Sequence, residues 1–368
     1  MRICHVTSVH KTNDVRIFLK ECSSLAKNPS YEVFLVGQGE DRNENNVRII
    51  GCGEPPKRRI ERMTLFTKKV IERAIGIDAD IYHLHDPELI RYVLALKKRG
   101  AAVVFDSHEN ILDSIDEKTY LPRALRYIAK RYYNNLQKKV YPRLDALIVV
   151  SPQMVKDYSK LANNVVMITN YPVITDDHNR TEKEGAILFA GGVSSQWSHK
   201  EVLEAIRDLE DCHYYIYGSA DKEYLKELES LSIPNFTYGG TVSFIEVQEK
   251  LQESEMVVAL LKPGKNTFFN EGTLGNTKIF EAMLNKKPVI ATGFALWKEI
   301  IEDNHCGICV DPSNPDEIKA AIMKLHGLSA KERQRLGENG RRAVLEKYNW
   351  NNEEEKLLKL YSQLRRGK

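Results

Sequence analysis

Strand-like and helix-like segments alternate along the whole chain, and this alternation limits the fold more than any other feature. Short apolar runs bounded by Gly, Pro, Asp or Asn predict strands, and the amphipathic stretches between them predict helices. In the first half the strand-like runs are RICHVTSV, YEVFLVG, DIYHLH, AAVVFDSH, DALIVVS and VVMITN. This pattern predicts βαβ units and a parallel sheet covered by helices on both faces.

The alternation stops once and then starts again. A polar stretch, TDDHNRTEKEGA (175–186), has the composition of a linker, and after it come AILFAGG, CHYYIYG, NFTYGG, MVVALL, PVIATG and GICVDP. A chain of 368 residues is also longer than one core usually supports. We therefore expect an α/β protein with two Rossmann-like, doubly wound domains, residues 1–172 and 184–349, that face each other across a cleft. In such sheets ligands bind at the carboxyl ends of the strands.

Helix boundaries can also be read locally. The stretch VRIFLKECSSLAK predicts a helix after the first strand. In DPELIRYVLALKKRG we expect Asp86 to cap a helix, Pro87 to occupy its first turn and Gly100 to end it.

Charge differs between the two halves. Residues 1–170 carry 28 Lys and Arg against 20 Asp and Glu, a net charge of +8, whereas the remainder carries 26 against 31, a net charge of −5. The two domains are therefore expected to meet different partners. Of the six cysteines only Cys306 and Cys309 have the spacing of a redox or zinc pair, and a lone pair is weak evidence for either.

No segment predicts export or membrane insertion. MRICHVTSV enters a strand directly, and no stretch approaches the ~20 apolar residues that span a bilayer. We expect a cytoplasmic protein, peripheral on the inner face of the cell membrane.

The segment NEGTLGNTKIFEAMLNKKPVIATG (270–293) carries the clearest chemistry. A loop with Gly272 and Gly275 leads to Asn276 and Thr277, which we expect to cap a helix beginning at Lys278. Unpaired N–H groups at a helix start, with a lysine beside them, form a diphosphate site. From the residues alone, an ordinary capped amphipathic helix remains an equal alternative.

This segment resembles the signature of the family-four retaining glycosyltransferases, the group 1 superfamily with the GT-B fold. It is closest to the subgroup that reads N-x-x-x-K-(L/I)-F-E-(Y/A)-M before a K-P-V-I strand. AILFAGG, the YGG turn at Gly239, HCGICVDPSNPDEI and LGENGRRAVLEKYNW follow in the family's order. The resemblance implies that a last helix, 350–368, crosses back to the N-terminal domain.

The resemblance assigns donor-side roles. Glu281 matches the second glutamate of the family's Glu-x7-Glu motif, which is associated with the nucleotide ribose, whereas Thr273 stands where the first glutamate is expected. Gly192 stands where the family often has an arginine for the diphosphate, and Lys200 lies about two residues late for the family's lysine. Lys200 is the expected phosphate cation and Lys278 its alternative.

Acceptor-side roles follow in the same way. His108 lies just beyond the AAVVFDS strand, where a family histidine approaches the donor sugar or the acceptor; a satisfied core histidine is the other interpretation. Acceptor-side candidates are Asn13, Asp14 and Arg16, in the loop after the first strand, and His85. Together, His108, Lys200 and Glu281 are the predicted catalytic residues.

Two basic stretches lie in the first half. Residues 57–73 hold seven Lys and Arg against two Glu, and residues 118–143 hold eight basic residues, no acidic residue and five tyrosines. Such faces suit anionic headgroups, although a solvated helix face has similar composition. The expected membrane residues are Arg58, Arg59, Lys68, Lys69, Arg126, Lys130 and Arg131. We expect no nucleic acid partner because no recognised binding motif accompanies the charge.

These observations predict a retaining glycosyltransferase that uses a nucleotide diphosphate sugar, UDP-linked in preference to GDP-linked, and a saccharide or lipid-linked saccharide acceptor. No cofactor and no metal ion are expected, because protein cations neutralise the diphosphate. The alternatives are a sugar-nucleotide epimerase of the same fold and a non-catalytic module that binds nucleotide sugars. A dinucleotide dehydrogenase is disfavoured because the first strand–helix turn lacks GxGxxG.

Overall fold

The computed structural model describes residues 1–117, 121–175 and 180–366. The chain forms two units: Met1–Asn170 with Trp350–Lys368, and Tyr171–Asn349. Residues 176–179 of the predicted linker, and 118–120 of the second basic stretch, lie outside the described residues, as do 367 and 368.

Unit 1, the unit that holds both chain ends, is built on an eight-stranded sheet. Its order is β3-β4-β2-β1-β5-β6-β7-β8, and every pairing is parallel except that of β3 with β4. The strands are β1 (Arg2–Val6), β2 (Glu32–Gly37), β3 (Arg42–Glu44), β4 (Val47–Gly51), β5 (Ile81–Leu84), β6 (Ala102–Ser107), β7 (Ala146–Val149) and β8 (Val165–Met167).

Unit 2 is a second doubly wound half. Its six strands lie in the order β11-β10-β9-β12-β13-β14, all in parallel. They are β9 (Ala186–Ala190), β10 (His213–Tyr217), β11 (Phe236–Tyr238), β12 (Met256–Ala259), β13 (Val289–Thr292) and β14 (Gly307–Val310). Its core comes from both faces of this sheet and includes the fully buried Phe189, Trp297 and Ile322.

Helices connect the strands. In unit 1 a π-helical segment, Val15–Cys22, leads directly into α1 (Ser23–Ala26), and a 3₁₀ segment, Pro87–Tyr92, leads into α4. The helices are α1, α2 (Arg59–Glu61), α3 (Thr67–Ile75), α4 (Val93–Lys98), α5 (Ile111–Glu117), α6 (Arg123–Val140), α7 (Pro152–Tyr158), α8 (His199–Ile206), α9 (Lys222–Ser230), α10 (Phe244–Glu253), α11 (Lys278–Leu284), α12 (Ala295–Ile301), α13 (Pro315–His326), α14 (Ala330–Glu346) and α15 (Trp350–Arg366).

The predicted fold class is confirmed: both halves are parallel α/β sheets with helices between their strands, and every strand named from the sequence is present. The short strands β3 and β4 were not predicted, because both are brief and RNE holds no apolar residue. Cys306 and Cys309 are free thiols, and burial raises the pKa of each to about 12. Among the described residues no helix has both the length and the apolar character to span a bilayer.

The terminal helix α15 belongs to the core of unit 1. Trp350, Leu357, Leu360 and Tyr361 are buried among residues of β1, β2 and the Val15–Cys22 segment. The Trp350 indole Nε1 donates to Ser24 Oγ over 2.9 Å. The last helix therefore completes a sheet face that is otherwise built from the first 170 residues.

We predict that Trp350→Ala destabilises unit 1 selectively, by about 3–5 kcal/mol, since it removes a buried aromatic side chain and leaves a cavity. The measurement is thiol labelling in moderate urea. Cys4 and Cys22 are buried in unit 1, and Cys212 and Cys306 in unit 2. Labelling of the first pair should accelerate by about 10²-fold or more, at 1.36 kcal/mol per factor of ten. Phe244→Ala, at an exposed aromatic position, is the control; equal acceleration of both thiol pairs would contradict the assignment of α15 to unit 1.

Candidate functional site

In unit 2, glycines occupy the carboxyl ends of three neighbouring strands. Gly191, Gly218 and Gly240 have φ values of +147°, +137° and +71°, which L-residues with side chains rarely adopt. The Gly191 N–H donates to Tyr217 O over 2.8 Å, and the Gly218 N–H donates to Gly240 O over 2.7 Å. A Cβ on Gly218 would lie 1.9 Å from Gly191 O. Glycine is thus required where these strand ends approach each other, and it leaves main chain instead of side chains at the edge.

Lys278 reaches this edge from the start of α11. Its Nζ lies 4.4 Å from the centroid of the Trp197 ring and 5.2 Å from that of Phe189. A Cβ on Gly191 would come within 2.2 Å of Lys278 Cε, so the glycine makes room for the lysine stem. Burial lowers the pKa of Lys278 to about 8. A cation held between aromatic faces beside exposed backbone is suited to receive an anion.

The two lysines proposed for the phosphate differ in surroundings. Lys200 is exposed, and its Nζ donates to Glu227 Oε2 over 2.6 Å on the neighbouring α9. Gly192 has open space where a side chain would be. The geometry therefore brings Lys278 to Gly191 and holds Lys200 in a surface ion pair, which makes Lys278, the alternative, the better candidate.

The start of α11 differs from the predicted cap. Thr277 is the N-cap residue, but it is in the helical region and its side chain accepts no capping hydrogen bond. Asn276 caps in its place, since its Oδ1 accepts from the Lys278 N–H over 3.1 Å. The Asn276 Nδ2 is buried without a hydrogen-bond partner. The Gly275 N–H donates to Thr273 Oγ1 over 3.1 Å.

Glu281 lies one turn inside α11 and is partly buried. Its Oε2 accepts from Gln248 Nε2 over 3.1 Å. Thr273, at the position of the expected first glutamate, contributes its backbone carbonyl to Trp297 Nε1 over 2.7 Å. Its main chain thus supports the loop. Gly239, predicted in the YGG turn, packs on Tyr217, because a Cβ there would lie 2.2 Å from Cε1 of that ring.

His199 was missed by the sequence reasoning. It is buried at the start of α8, and its Nδ1 lies 2.9 Å from the Tyr214 hydroxyl. Burial, followed by the charges of Lys278 and Lys262, lowers the pKa of His199 to about 3. The imidazole is therefore neutral beside the candidate cation. Its only sequence signal was its position at a helix start after a glycine turn.

In unit 1 the predicted His108 lies just beyond the carboxyl end of β6, as expected. Its Nε2 lies 2.8 Å from Asp106 Oδ2, and about a quarter of its side chain is exposed. Burial opposes charge on Asp106, but Arg16 and His108 outweigh burial and hold the pKa of this carboxyl well below its usual range. The Asp106 carboxylate thus fixes the orientation of the His108 ring, as carboxylates often do for functional histidines.

Arg16 is not in an exposed acceptor loop, which corrects the expectation. Its Nε donates to Asp106 Oδ2 over 2.8 Å, and its Nη2 donates to Asp106 Oδ1 over 2.9 Å and to Ile168 O over 3.1 Å. The Arg16 side chain is buried, as are most residues of the Val15–Cys22 segment to which it belongs. Of the same loop, Asn13 is exposed, and Asp14 is the N-cap that accepts from the backbone N–H groups of Arg16 and Ile17.

Asp86 and His10 also lie at this edge, where Asp86 is buried and His10 is partly exposed. Asp86 occupies the predicted N-cap position before Pro87, but its side chain makes no capping hydrogen bond, which corrects that part of the prediction. Its Oδ2 instead accepts from the Thr7 hydroxyl over 2.9 Å and from the Ser8 N–H over 2.5 Å. His10 was not predicted. Burial opposes charge on His10, yet the hydrogen bond with Asp14 and the carboxylates of Asp86 and Asp106 together raise its pKa. The rings of His10 and His108 lie 5.4 Å apart.

His85 is fully buried, so it offers no surface to an acceptor, contrary to the expectation. Its Nε2 lies 3.0 Å from His5 Nδ1, and its Nδ1 lies 3.5 Å from Asp106 Oδ2. His83, His5 and Glu21 surround it and were also missed. Burial is the main cause that lowers the pKa of His5, His83 and His85. Burial is also the main cause that raises the pKa of Glu21, and the negative charge of Asp106 is the next.

The predicted membrane residues fall into two groups. One group is exposed at the start of α2 and on α3: Arg58, Arg59, Lys68 and Lys69. Ile60 and Leu65, in the same stretch of chain, are 77% and 68% exposed. On α6, Arg126 and Lys130 are instead tied to Asp116, through its backbone O and its carboxylate respectively. Arg131 is exposed, with Leu125, Tyr127, Ile128 and Tyr132 among the exposed apolar residues of the same helix.

Two family models match this chain in succession. Residues 14–170 match the model described as Glycosyltransferase Family 4, and residues 171–343 match the model described as Glycosyl transferases group 1. An uncharacterised glycosyltransferase of Methanocaldococcus jannaschii is 27% identical over 181 residues, which cover 48% of each chain. An α-(1→4)-mannosyltransferase of Mycolicibacterium hassiacum is 35% identical over 71 residues, 19% of this chain and 17% of that one. The chain spans about half or less of the length of these curated relatives.

Solved structures share the fold. Sucrose-phosphate synthase of Thermosynechococcus elongatus has a TM-score of 0.77 at 14% identity and is covered completely, as is this chain. HepE of Anabaena, in complex with UDP and glucose, has a TM-score of 0.70 at 15% identity, with 99% of this chain and 100% of that chain covered. At these identities the likeness concerns the fold alone, and it confirms the predicted GT-B class.

We predict that Asp14→Asn lowers the pKa of His10, which should lie above 6.5 in the parent, because the substitution removes a hydrogen-bonded charge. Asparagine retains the helix cap, so the fold should survive. A raised pKa contributes stability that is present below pH 6.5 and lost as pH rises through the folded-state pKa; the variant should lose part of it. NMR titration of the His10 ring measures the pKa, with Asp221→Asn, another N-cap, as control. An unchanged His10 titration in Asp14→Asn would refute this electrostatic account.

Proposed function

We infer from the two matched family models that this chain is a group 1 glycosyltransferase. On that premise we propose that it transfers a glycosyl group from a nucleotide diphosphate sugar to a hydroxyl of a saccharide. Anomeric configuration is retained. The observation that carries the proposal is the approach of Lys278 to Gly191 at the carboxyl edge of the unit 2 sheet. A diphosphate is the part of such a donor that needs a cation and free N–H groups.

Donor binding is proposed as follows. The diphosphate lies against Lys278 and the backbone of Gly191 and Gly192, where no side chain obstructs it. Glu281 accepts hydrogen bonds from the ribose hydroxyls, with Gln248 keeping its carboxylate in place. The preference for UDP over GDP remains a proposal; HepE, which has the same fold, was solved with UDP.

Catalysis is proposed to rest on leaving-group stabilisation. The bond between the anomeric carbon and the diphosphate oxygen breaks through an oxocarbenium-like transition state. The developing negative charge on the diphosphate is stabilised by Lys278. The acceptor oxygen bonds to the anomeric carbon on the same face of the sugar, and the departing diphosphate accepts the proton that this hydroxyl loses. His108, held by Asp106, is proposed to contact the transferred sugar. No metal ion is needed at the diphosphate in this mechanism.

The acceptor is proposed to be a lipid-linked saccharide at an anionic membrane, within cell-surface polysaccharide synthesis. Support comes from the surface around α2 and α3, where Ile60 and Leu65 are exposed among basic residues. Apolar side chains flanked by lysine and arginine are typical of segments that insert into headgroups.

A panel of nucleotide diphosphates and their sugars tests the activity. The protein should gain thermal stability with a subset of nucleotide diphosphates and slowly hydrolyse the matching sugar donor when no acceptor is present. Conversion of the donor into an epimer without release of the nucleotide would favour the epimerase. Binding with neither hydrolysis nor transfer would favour a non-catalytic module.

We predict that UDP affinity falls as pH rises through about 8, by up to tenfold per pH unit, because the free protein then loses the Lys278 proton that the diphosphate requires. Calorimetric titration between pH 7 and 9.5 measures this. Lys278→Arg should remove this fall in UDP affinity above pH 8, since arginine stays charged. Lys278→Met should bind UDP weakly at every pH. Lys200→Met is the matched control and should leave affinity nearly unchanged; a loss of affinity there, with Lys278→Met unaffected, would reverse the two roles.

His108→Ala should reduce sugar transfer by about 10²–10³-fold, a magnitude typical of a lost hydrogen-bond donor to the transition state, while UDP affinity changes little. The reason is that His108 is proposed to meet the sugar and not the nucleotide. Rates with a saturating donor and calorimetry with UDP separate the two effects, and His213→Ala, at a partly exposed histidine in unit 2, is the control. Equal losses in both measurements would place His108 in the core and not in the site.

Neutralising Arg58, Arg59, Lys68 and Lys69 together to glutamine should weaken binding to vesicles that contain phosphatidylglycerol by up to ~4 kcal/mol, at ~1 kcal/mol each. The parent should co-sediment with these vesicles, ignore neutral ones and dissociate as salt rises. The control neutralises four exposed lysines of unit 2: Lys222, Lys226, Lys324 and Lys331. A parent that ignores acidic vesicles at low salt would reduce this surface to a solvated helix face.

A further inference from the structure

Three imidazoles and one carboxylate meet inside unit 1, next to the His108 edge. His5 of β1 and His83 of β5 are register partners on neighbouring strands, and His85 follows β5 directly. Glu21 enters from the Val15–Cys22 segment. None of the four side chains has any solvent exposure.

Glu21 Oε2 faces all three rings without a hydrogen bond to any. It lies 3.9 Å from His5 Nδ1, 3.7 Å from His83 Nδ1 and 3.9 Å from His85 Nε2. These separations are too long for hydrogen bonds. Arg16 Nε lies 3.2 Å from the other oxygen, Oε1, so Oε2 is the atom left for the imidazoles. Among the described residues Oε2 has no hydrogen-bond partner, whereas His5 Nδ1 and His85 Nε2 lie 3.0 Å from each other and His83 Nδ1 lies 2.9 Å from the Tyr361 hydroxyl. A buried carboxylate oxygen without a partner is costly, and a cation shared with the ring nitrogens would remove that cost.

The spacing distinguishes a metal ion from a water molecule. Tetrahedral ligands of zinc with bonds of ~2.0–2.1 Å lie about 3.3–3.4 Å from each other. Tetrahedral partners of a water molecule, at ~2.8–2.9 Å from its oxygen, lie about 4.6 Å apart. The separations here are 3.0 Å for His5 Nδ1 to His85 Nε2, and 3.7–3.9 Å for the three that involve Glu21. The three separations that involve Glu21 are closer to the value for the ion, and the 3.0 Å pair is a hydrogen bond that the ion would replace.

We propose that His5, His83, His85 and Glu21 bind one divalent transition-metal ion, zinc by the chemistry of this ligand set. Neutral imidazoles with one carboxylate suit zinc, and a closed four-ligand site without an open position is typical of structural zinc. The ion joins β1, β5 and the Val15–Cys22 segment, so its binding free energy stabilises unit 1. This site is separate from the diphosphate, and it departs from the expectation that the chain binds no metal.

Tyr361 competes for one of the ligands. Its hydroxyl lies 2.9 Å from His83 Nδ1, the nitrogen that the ion requires. Zinc binding therefore breaks this hydrogen bond and links the site to α15. Tyr361→Phe keeps the ring in the core and removes the competitor, and it should tighten zinc binding by several-fold; weaker binding in this variant contradicts the proposed ligand atom.

The decisive experiment uses the full chain, purified without a histidine tag or a metal column. After incubation with zinc and removal of excess, elemental analysis should give one zinc per chain. A chelator should lower Tm, and zinc alone should restore it. Glu21→Gln should lose zinc affinity by on the order of 100-fold or more, since loss of an outer-shell partner alone costs about 10–100-fold. Glu255→Gln, a buried carboxyl in unit 2, is the matched control and should retain the metal.

Spectroscopy of the parent keeps the proposal testable if Glu21→Gln does not fold. X-ray absorption of the zinc-loaded parent should show only nitrogen and oxygen neighbours at about 2.0–2.1 Å, with imidazole scattering. Sulfur neighbours would place the ion at a cysteine and overturn the proposal. So would a parent that holds no stoichiometric zinc and whose Tm does not respond to chelator.

Discussion

The buried ion pair of Arg16 with Asp106 organises the candidate edge of unit 1, because it links three separate segments at once. Asp106 is the penultimate residue of β6, Arg16 comes from the segment after β1, and the same guanidinium donates to Ile168 O beside β8. Asp106 also holds His108 at 2.8 Å. Removing one partner of such a pair would leave an uncompensated buried charge, which typically costs about 3–5 kcal/mol. His108 can therefore be positioned accurately only while this pair is intact.

The candidate edge of unit 2 is formed mainly by backbone, whereas that of unit 1 is formed by charged side chains. Three strand ends approach so closely that only glycine fits at Gly191 and Gly218, and the freed volume admits the stem of Lys278. Aromatic faces of Trp197 and Phe189 flank the ammonium group. The edge thus combines closely packed backbone with one cation of lowered pKa, an arrangement that suits the phosphate binding proposed above.

The fold could be predicted from the sequence because it depends on local periodicity: apolar runs and amphipathic stretches alternate at the spacing of βαβ units. The site could be predicted only in part. His108 and Lys278 lie at element ends, and the sequence shows such positions directly. Arg16 and His85 were placed with the acceptor, yet both are buried by partners that are distant in sequence, Asp106 and His5. Lys200 was preferred to Lys278 because sequence spacing cannot show the ion pair of Lys200 with Glu227.

We propose above all that unit 2 binds the nucleotide diphosphate at the carboxyl edge of its sheet. Hydrogen exchange measured by mass spectrometry, with and without saturating UDP, tests it most directly. We predict slower exchange in peptides that contain Gly191, Gly218 and the 272–285 segment, and unchanged exchange around His10 and His108. Protection confined to the unit 1 peptides, with the glycine edge of unit 2 unaffected, would contradict the account.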